Sequence, residues 1–258
     1  MDRPETSTEA AHALLLQDVA KSFDGTNAVR GIDLAIRPGE FYGLLGANGA
    51  GKTTTLRMTV GLLKPDRGAI QIFGIDALQD PAAAKQKLAW LPDEPLLYEQ
   101  LTPLEYLEFV AGLWRIDAKE AADRASTLLD RLDLWSQRDT RCAALSRGMK
   151  QKVSLAGALV HDPRLLILDE PLTGLDPAIQ RQVKDLLLAR TDAGCTIILA
   201  THILDVAERL VNRVGIMRDG ALVAQGTLAE LRIQTGRKDA TLEDIFLALA
   251  ISQSAAVA

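Results

Sequence analysis

A glycine-rich segment of eight residues limits what this chain can fold into more than any other feature. The segment reads Gly46, Ala47, Asn48, Gly49, Ala50, Gly51, Lys52, Thr53. It matches the pattern G-x-x-x-x-G-K-[ST], in which glycines let consecutive backbone N–H groups point at phosphate oxygens. The apolar run Phe41–Leu45 precedes the segment, and a helical pattern at Thr54–Val60 follows it. The sequence therefore predicts a strand, a phosphate-binding turn and a helix in succession.

The last residues of this loop carry the side-chain chemistry. Lys52 is predicted to reach the β- and γ-phosphates of a nucleotide, and the Thr53 hydroxyl to ligate Mg²⁺. The helix that begins near Lys52, with Thr54 in its first turn, adds the positive end of its dipole. A chance glycine-rich turn is the alternative, but the strand before the loop and the helix after it favour phosphate binding.

A second motif lies far downstream, where two carboxylates follow a buried strand. Four apolar residues, Leu165–Leu168, precede Asp169 and Glu170. Because ligand sites of α/β proteins lie at the carboxyl ends of strands, Asp169 is predicted to hold the Mg²⁺ shell and Glu170 to polarise an attacking water. A strand that ends in a solvated acidic turn is the alternative, and the upstream loop makes it the weaker one.

The charge and composition exclude several classes of protein. The 258 residues include 29 Lys and Arg against 34 Asp and Glu, a net charge of −5, which argues against a general nucleic-acid binder. Cys142 and Cys195 are far apart and have no CxxC pair or His/Cys cluster, so we expect a reduced, cytosolic setting and no zinc site. The N-terminus lacks a signal-peptide pattern, and no apolar run reaches the roughly 18–20 residues that span a bilayer. We therefore expect a chain that is soluble by itself, with a membrane-bound partner left open.

Short apolar runs alternate with longer helical patterns, which is typical of α/β architecture. Strands are predicted at Ala13–Val19, Ile32–Ile36, Phe41–Leu45, Ala69–Phe73, Leu165–Leu168, Thr196–Ala200, Arg213–Met217 and Ala221–Ala224. Helices are predicted after the capping box Thr102–Glu105, at Ala118–Leu132, from Ser146 onward, at Ala178–Arg190 and at Leu242–Leu249. Since the stretch from Asp93 to Val160 has little strand signal, it is interpreted as a helical insertion.

The segment Leu145–Lys152 adds the most specific signal. It reads L-S-R-G-M-K-Q-K and is similar to the signature L-S-G-G-Q of the nucleotide-binding subunits of ATP-binding-cassette (ABC) transporters. Together with the two motifs above, it makes nearly the whole chain resemble this family. Arg147 and Met149 depart from the signature, whereas Ser146 and Gly148, which the resemblance places against the γ-phosphate of ATP, are intact. Independently of the family, Ser146 is a good helix N-cap, and an ordinary cap is its alternative role.

The resemblance assigns roles to further residues. Pro171–Asp176 is similar to the D-loop, which crosses the interface between two copies. His202, just after a predicted strand, is similar to the switch histidine that contacts the γ-phosphate and orients the water of Glu170. Phe23 matches the aromatic residue that stacks on adenine, and packing on the sheet is its alternative. Asp93 stands where the family usually has a glutamine that contacts Mg²⁺, and a carboxylate there could still bind the metal.

The resemblance also implies a fold and a domain organisation. The expected class is α/β: a P-loop NTPase core with a mixed, mainly parallel sheet, an antiparallel β part and an inserted helical subdomain. The chain is expected to be a single ABC ATPase domain over 1–258. Within it, 1–92 and 161–235 form the nucleotide-binding core, 93–160 the helical subdomain, and 236–258 the C-terminal helix and tail.

The function that the resemblance implies is ATP hydrolysis coupled to transport. Two copies, identical or related, would clamp two ATP molecules with Mg²⁺ and energise a separate integral-membrane permease from the cytoplasmic face of the cell membrane. No nucleic acid is expected as a partner. The segment Asp93–Thr102 and the ending Thr241–Phe246 resemble ABC-2-type exporters, which favours export. An importer subunit is the first alternative, and a non-transport ATPase acting on nucleic acid or ribosomes is the second.

The region Asp93–Tyr106 is predicted to form much of the permease dock because it mixes apolar residues with acids. A solvated loop with a few buried anchors is the alternative. Charge reversal at Glu99 together with Leu97→Asp is expected to uncouple transport and to leave basal ATPase activity intact.

Overall fold

A computed structural model describes residues 12–251 of the chain. Its strands are β1 (Leu14–Phe23), β2 (Thr26–Ile36), β3 (Phe41–Leu45), β4 (Arg67–Ile72), β5 (Ile75–Asp76), β6 (Leu88–Leu91), β7 (Leu165–Asp169), β8 (Thr196–Thr201), β9 (Arg213–Arg218) and β10 (Ala221–Gly226). Its α-helices are α1 (Lys52–Thr59), α2 (Pro81–Lys85), α3 (Pro103–Leu113), α4 (Ala118–Arg131), α5 (Arg147–Leu159), α6 (Pro177–Asp192), α7 (Leu204–Leu210), α8 (Leu228–Gln234) and α9 (Leu242–Ile251). Two 3₁₀ turns, Trp135–Gln137 and Cys142–Ala144, lie between α4 and α5.

In the described part of the chain the strands form two sheets. One is antiparallel, with the order β2-β1-β4-β5, and the other has the order β10-β9-β3-β8-β7-β6. In the larger sheet β9, β3, β8, β7 and β6 run parallel, and only β10 is antiparallel to its neighbour. This mixed, mainly parallel sheet with an antiparallel part agrees with the predicted α/β class.

The central strands of the larger sheet are apolar on both faces. Because side chains alternate along a strand, Ile167 and Ile198 pack into the cluster shared with the antiparallel sheet, whereas Leu166 and Ile197 pack into the cluster shared with α3 to α6. Burial on both faces explains why β7 and β8 appear in the sequence as continuous apolar runs.

The register of these parallel strands gathers the predicted site at one edge of the sheet. Leu45, the last residue of β3, pairs with Thr201 at the end of β8, and Asp169 at the end of β7 pairs with Ala200. The phosphate loop after β3, the two carboxylates at the end of β7 and His202 after β8 therefore leave the sheet side by side.

The chain between β6 and β7 is helical, as the sequence predicts. The capping box at the start of α3 is present: Thr102 Oγ1 accepts from the Glu105 backbone N–H at 3.3 Å, and Glu105 Oε2 accepts from the Thr102 N–H at 2.9 Å. The division of the chain at residues 92/93 and 160/161 remains a prediction. Within residues 12–251, every helix falls short of the length and apolar character that crossing a bilayer requires.

Several elements differ from the predicted ones. The hairpin β1–β2 is longer than predicted, because pairing between the strands continues as far as Phe23 and Thr26. The sequence patterns do not predict β6, a four-residue edge strand that pairing with β7 defines. They also do not predict α2, α7 and α8. The start of α7 has no side-chain cap, but α8 begins with the capping box Thr227–Glu230, a signal that the sequence does carry.

Candidate active site

The phosphate loop has a backbone that glycine alone accommodates at two positions. Gly51 has a φ of +102°, and a Cβ on it would lie 2.6 Å from the backbone oxygen of Ala28. A Cβ on Gly46 would lie 2.6 Å from the backbone oxygen of Met217. Both obstacles are backbone atoms, which cannot turn aside as a flexible side chain can. The path of the loop between β3 and α1 therefore requires the glycines of the motif.

Lys52 bends back over the loop that precedes it. Its Nζ donates to the carbonyl oxygens of Gly46 at 2.7 Å and Ala47 at 3.2 Å, and it lies 3.9 Å from Glu170 Oε1. Burial lowers the pKa of Lys52, and the nearby carboxylates of Glu170 and Asp169 oppose this shift. The ammonium group is thus held at the loop, where phosphate oxygens would be stronger, charged acceptors than carbonyls.

Thr53 and Asp169 meet at the base of the loop. The Thr53 hydroxyl donates to Asp169 Oδ2 at 2.7 Å. The other oxygen, Oδ1, is buried and has no hydrogen-bond partner within the described residues. Burial raises the pKa of Asp169, and the bond from Thr53 opposes the rise. A hydroxyl beside a carboxylate with one unsatisfied oxygen is a ligand set that suits a hard cation such as Mg²⁺.

Glu170 is held in a fixed position just after β7. Its φ is +49°, an unusual conformation for a residue other than glycine, and its N–H donates to the Ala200 oxygen at 2.9 Å. Its Oε2 accepts from the hydroxyls of Thr201 at 2.9 Å and Thr173 at 3.2 Å. Its Oε1 accepts from the His202 N–H at 3.0 Å and lies 2.8 Å from His202 Nδ1. Such an arrangement orients the carboxylate, and strained residues of this kind cluster at active sites.

A cavity of about 220 Å³ opens between the loop and the carboxylates. Its lining consists of Ala28, residues 48–54, Asp93, Asp169 and Glu170. Asp93 also lines a neighbouring cavity with Thr53 and Asp169, and its charge contributes to the raised pKa of Asp169. The predicted residues Lys52, Thr53, Asp169, Glu170, His202 and Asp93 are thus brought together.

Three other predicted residues lie away from this cavity. Phe23 ends β1 with 46% of its surface exposed, and Lys21 Nζ lies 5.6 Å from its ring centre. Ser146 caps α5 by accepting from the Met149 N–H at 3.3 Å. Gly148 packs against α6, where a Cβ on it would lie 2.6 Å from the mobile end of the Ile179 side chain, Cδ1.

Two hydroxyl groups of this site are not predicted by the sequence motifs. Thr173 and Thr201 both donate to the Glu170 carboxylate. Thr173 lies within the predicted D-loop, and Thr201 lies between the predicted strand Thr196–Ala200 and His202. Their contact with Glu170 depends on the turn after β7 and could not be inferred from spacing.

Comparison with known proteins identifies the family to which this site belongs. A family profile described as ABC transporter matches residues 29–173. The chain belongs to this family. The daunorubicin/doxorubicin resistance ATP-binding protein DrrA of Streptomyces peucetius is 37% identical over 230 residues, covering 89% of this chain and 70% of that protein. The ABC-type transporter ATP-binding protein EcsA of Bacillus subtilis is 34% identical, covering 92% of this chain and 96% of that protein.

Solved structures agree with this assignment. One described as the ATP-binding subunit of an ABC transporter has a TM-score of 0.87 at 34% identity and covers 92% of this chain and 99% of that one. A dimeric ATP-binding cassette in a post-hydrolysis state, bound to ADP and Pi, has a TM-score of 0.78 at 26% identity, covering 83% of this chain and 98% of that one. The predicted P-loop NTPase fold is confirmed. The chain is an ATP-binding and ATP-hydrolysing ABC subunit, and subunits of this kind dimerise and energise membrane permeases.

Proposed function

We propose that this ABC subunit powers export and hydrolyses ATP with Mg²⁺ at the edge of the sheet formed by β3, β7 and β8. The observation that carries the chemistry is the cluster of Lys52, Thr53, Asp169 and Glu170 around one cavity. The direction of transport rests on relatives named for drug resistance and for export, among them the SkfA peptide export ATP-binding protein SkfE of Bacillus subtilis, 38% identical over 208 residues.

The magnesium site is proposed at Thr53 and Asp169. Asp169 offers the unsatisfied oxygen Oδ1, and the Thr53 hydroxyl lies 2.7 Å from the other oxygen. Asp93 lines the same cavity and is the third proposed ligand. When bound, Mg²⁺ neutralises charge that develops on the phosphate oxygens. Lys52, held over the loop by carbonyls, is proposed to exchange these contacts for phosphate oxygens, with Gly46–Thr54 as the cradle.

Glu170 is proposed as the base of the hydrolysis step. Its carboxylate accepts a proton from water as the water oxygen bonds to the γ-phosphorus and the bond to the bridging oxygen of ADP breaks. The contacts from Thr173, Thr201 and the His202 N–H leave the carboxylate little freedom to rotate, which favours a single orientation of the water. His202, whose ring is 43% exposed, is proposed to contact both this carboxylate and the γ-phosphate.

A second copy, identical or related, is proposed to complete each site. Ser146 and Gly148 lie at the N-terminus of α5, outside the cavity of their own chain. Their predicted contact with a γ-phosphate is therefore proposed to be made to the nucleotide of the other copy. Backbone N–H groups at a helix start such as that of α5 suit the binding of an anion. Phe23 has an exposed ring and is proposed to stack on adenine.

The permease dock is proposed at Asp93–Tyr106, and the permease is proposed to hold the chain on the cytoplasmic face of the cell membrane. Leu96 is 76% exposed and Tyr98 is 60% exposed, and Leu96 borders an apolar cavity of about 460 Å³ between β6 and α3. Leu97, in contrast, packs against the core, and Glu99 forms an ion pair with Lys150 at 2.7 Å. Leu97→Asp is therefore the wrong probe of docking, because it would also destabilise the fold.

Two other functions remain as alternatives. An importer subunit would use the same chemistry with a different permease. A non-transport ATPase acting on nucleic acid or ribosomes is disfavoured by the net charge of −5. Co-purification of an integral-membrane protein in mild detergent would distinguish an exporter or importer subunit from a non-transport ATPase.

The proposal is tested with the complex of this chain and its permease in inside-out membrane vesicles. ATP-driven accumulation of the transported compound inside the vesicles is expected for an exporter, and its release for an importer. Hydrolysis that continues unchanged after all Mg²⁺ is chelated would refute the magnesium site. A complex without any integral-membrane protein would refute the transport function.

A further inference from the structure

The signature turn and the D-loop touch at a residue that departs from the signature pattern. Arg147 is the first residue of α5, and its guanidinium group lies over the backbone of Gly174. A Cβ on Gly174 would lie 3.2 Å from Nη1 and 3.3 Å from Cζ of Arg147. Gly174 also has a φ of +73°, which favours glycine. The Arg147 side chain is exposed, and its guanidinium packs on the outer face of Gly174.

The residue before Gly174 holds the proposed base. The Thr173 hydroxyl donates to Glu170 Oε2 at 3.2 Å, and the Thr173 N–H donates to the Glu170 carbonyl oxygen at 3.2 Å. A displacement of Gly174 therefore moves the hydroxyl that holds one oxygen of the carboxylate.

Other bonds hold the D-loop at its two ends. Gln151 donates from Nε2 to the Pro171 oxygen at 3.4 Å, and Gln180 donates from Nε2 to the Leu175 oxygen at 3.1 Å. The Leu175 N–H also donates to the Leu172 oxygen at 3.4 Å and closes the turn around Gly174. On its outer side, the tip of the loop packs against the guanidinium of Arg147.

We propose that Arg147 is a positioning residue for hydrolysis: its guanidinium fixes the tip of the D-loop, so that the Thr173 hydroxyl stays on Glu170. The inference rests on the proposed role of Glu170. Arg147 adjoins Ser146, which is proposed to meet the nucleotide of a second copy. The contact between Arg147 and Gly174 therefore links the binding of the second copy's nucleotide to the Glu170 carboxylate of the same chain.

The test compares steady-state ATP hydrolysis by the full chain as Arg147→Met, Thr173→Val and the double variant. Thr173→Val is expected to lower kcat about fivefold, the worth of the hydrogen bond that it removes. Arg147→Met is expected to lower kcat by up to about the same factor, and both variants to keep KM within about twofold of the parent. The double variant is expected to be no slower than the slower single one, because both changes break the same link. Arg181→Met, which removes an exposed guanidinium from α6, serves as control and keeps the parent rate.

A second readout needs no nucleotide. Amide hydrogen exchange at Thr173 and Gly174 is expected to speed up in Arg147→Met and to stay at the parent rate in Arg181→Met. A raised KM with unchanged kcat would place Arg147 on the nucleotide, and losses that multiply in the double variant would separate it from Thr173. Either result overturns the proposal. If Glu170→Gln turns over at the parent rate, the proposed base is wrong as well, so the two failures are distinguishable.

Discussion

At the residue scale, the site depends on charged groups that folding removes from water. Lys52 is 6% exposed and Asp169 is 2% exposed, yet neither forms a close ion pair with the other. Burying charges in this way is costly unless each finds partners. Gly46, Ala47 and Thr53 supply part of those contacts. Within the described residues, the buried Oδ1 of Asp169 still lacks a hydrogen-bond partner. A bound cation would provide a partner for this oxygen.

The first prediction concerns Lys52. We expect Lys52→Ala to weaken ATP binding about ten- to a hundredfold, because one charge-assisted contact to phosphate is lost. A nucleotide titration of the purified chain measures the effect. Lys64→Ala, an exposed lysine beyond α1, is the matched control and should bind as the parent does. Unchanged affinity in Lys52→Ala would remove this residue from the site.

The second prediction concerns Glu170. We expect Glu170→Gln to keep ATP affinity and to lower turnover at least about a hundredfold, because an amide has the same shape but is a poor proton acceptor. Binding and hydrolysis are measured on the same preparation. Glu243→Gln changes an exposed carboxylate in the first turn of α9 and should leave both quantities unaltered. Turnover near the parent rate in Glu170→Gln would show that another group is the base.

At the element scale, the start of α5 is proposed to serve a neighbouring chain. The Ser146 side chain already caps this helix within its own chain, with an Oγ-to-N distance of 3.3 Å to Met149. A substitution at Ser146 can therefore act through the cap or through the anion site. Two variants separate these effects, because aspartate caps a helix as well as serine does.

The third prediction compares Ser146→Arg with Ser146→Asp in a Glu170→Gln background, where a closed dimer should persist. Both variants are expected to bind ATP as monomers like the parent, and neither is expected to dimerise on adding ATP. The arginine fills the anion site, and the aspartate repels the γ-phosphate while keeping the cap. Size-exclusion chromatography with ATP measures the dimer. Normal dimerisation of Ser146→Asp would reduce Ser146 to a helix cap.

The fourth prediction tests the proposed dock. Leu96→Asp is expected to lower transport by the permease complex at least about tenfold with basal ATPase activity unchanged. The reason is that docking would bury an unpaired charge in the interface, which costs more free energy than the loss of the leucine contact alone. The matched control is Ile233→Asp on α8, where the side chain is 80% exposed. Full transport in Leu96→Asp would contradict the assignment.

At the scale of the whole molecule, one histidine joins the helical segment to the sheet. The His161 ring stacks on Trp114 at a centroid distance of 3.9 Å, and its Nε2 lies 3.2 Å from the Leu88 carbonyl oxygen of β6. Burial lowers the pKa of His161 below the ordinary value of 6.5. The charge of Arg124 also lowers it, whereas the Leu88 carbonyl and Asp162 raise it.

The fifth prediction follows from this lowered pKa. Since the unfolded chain binds the proton more readily, the stability that neutral His161 contributes is complete above pH 6.5 and is lost as the pH falls below that value. The Tm of the parent is therefore expected to fall more steeply between about pH 7.5 and 5.5 than that of His161→Phe, which keeps a ring against Trp114. Thermal unfolding at several pH values measures both slopes. Equal slopes would show that folding does not lower the pKa of His161.

The amino-acid sequence by itself determined the chemistry and the fold class. Local motifs carry this information, because a glycine loop before a helix, or acids after an apolar strand, need no distant residue to be recognised. The loop at Gly46–Thr53, the strand before Asp169 and the cap at Thr102 all lie where these patterns predict.

The tertiary structure alone decided which partners each residue has. Strand β6 exists because β7 pairs with it, and Thr173 reaches Glu170 because the chain turns back after β7. Leu97 is packed and Leu96 exposed, although both are apolar neighbours in one segment. The contact of Arg147 with Gly174 joins two motifs that are separate in the sequence. Such contacts depend on packing between distant segments, which a local pattern does not encode.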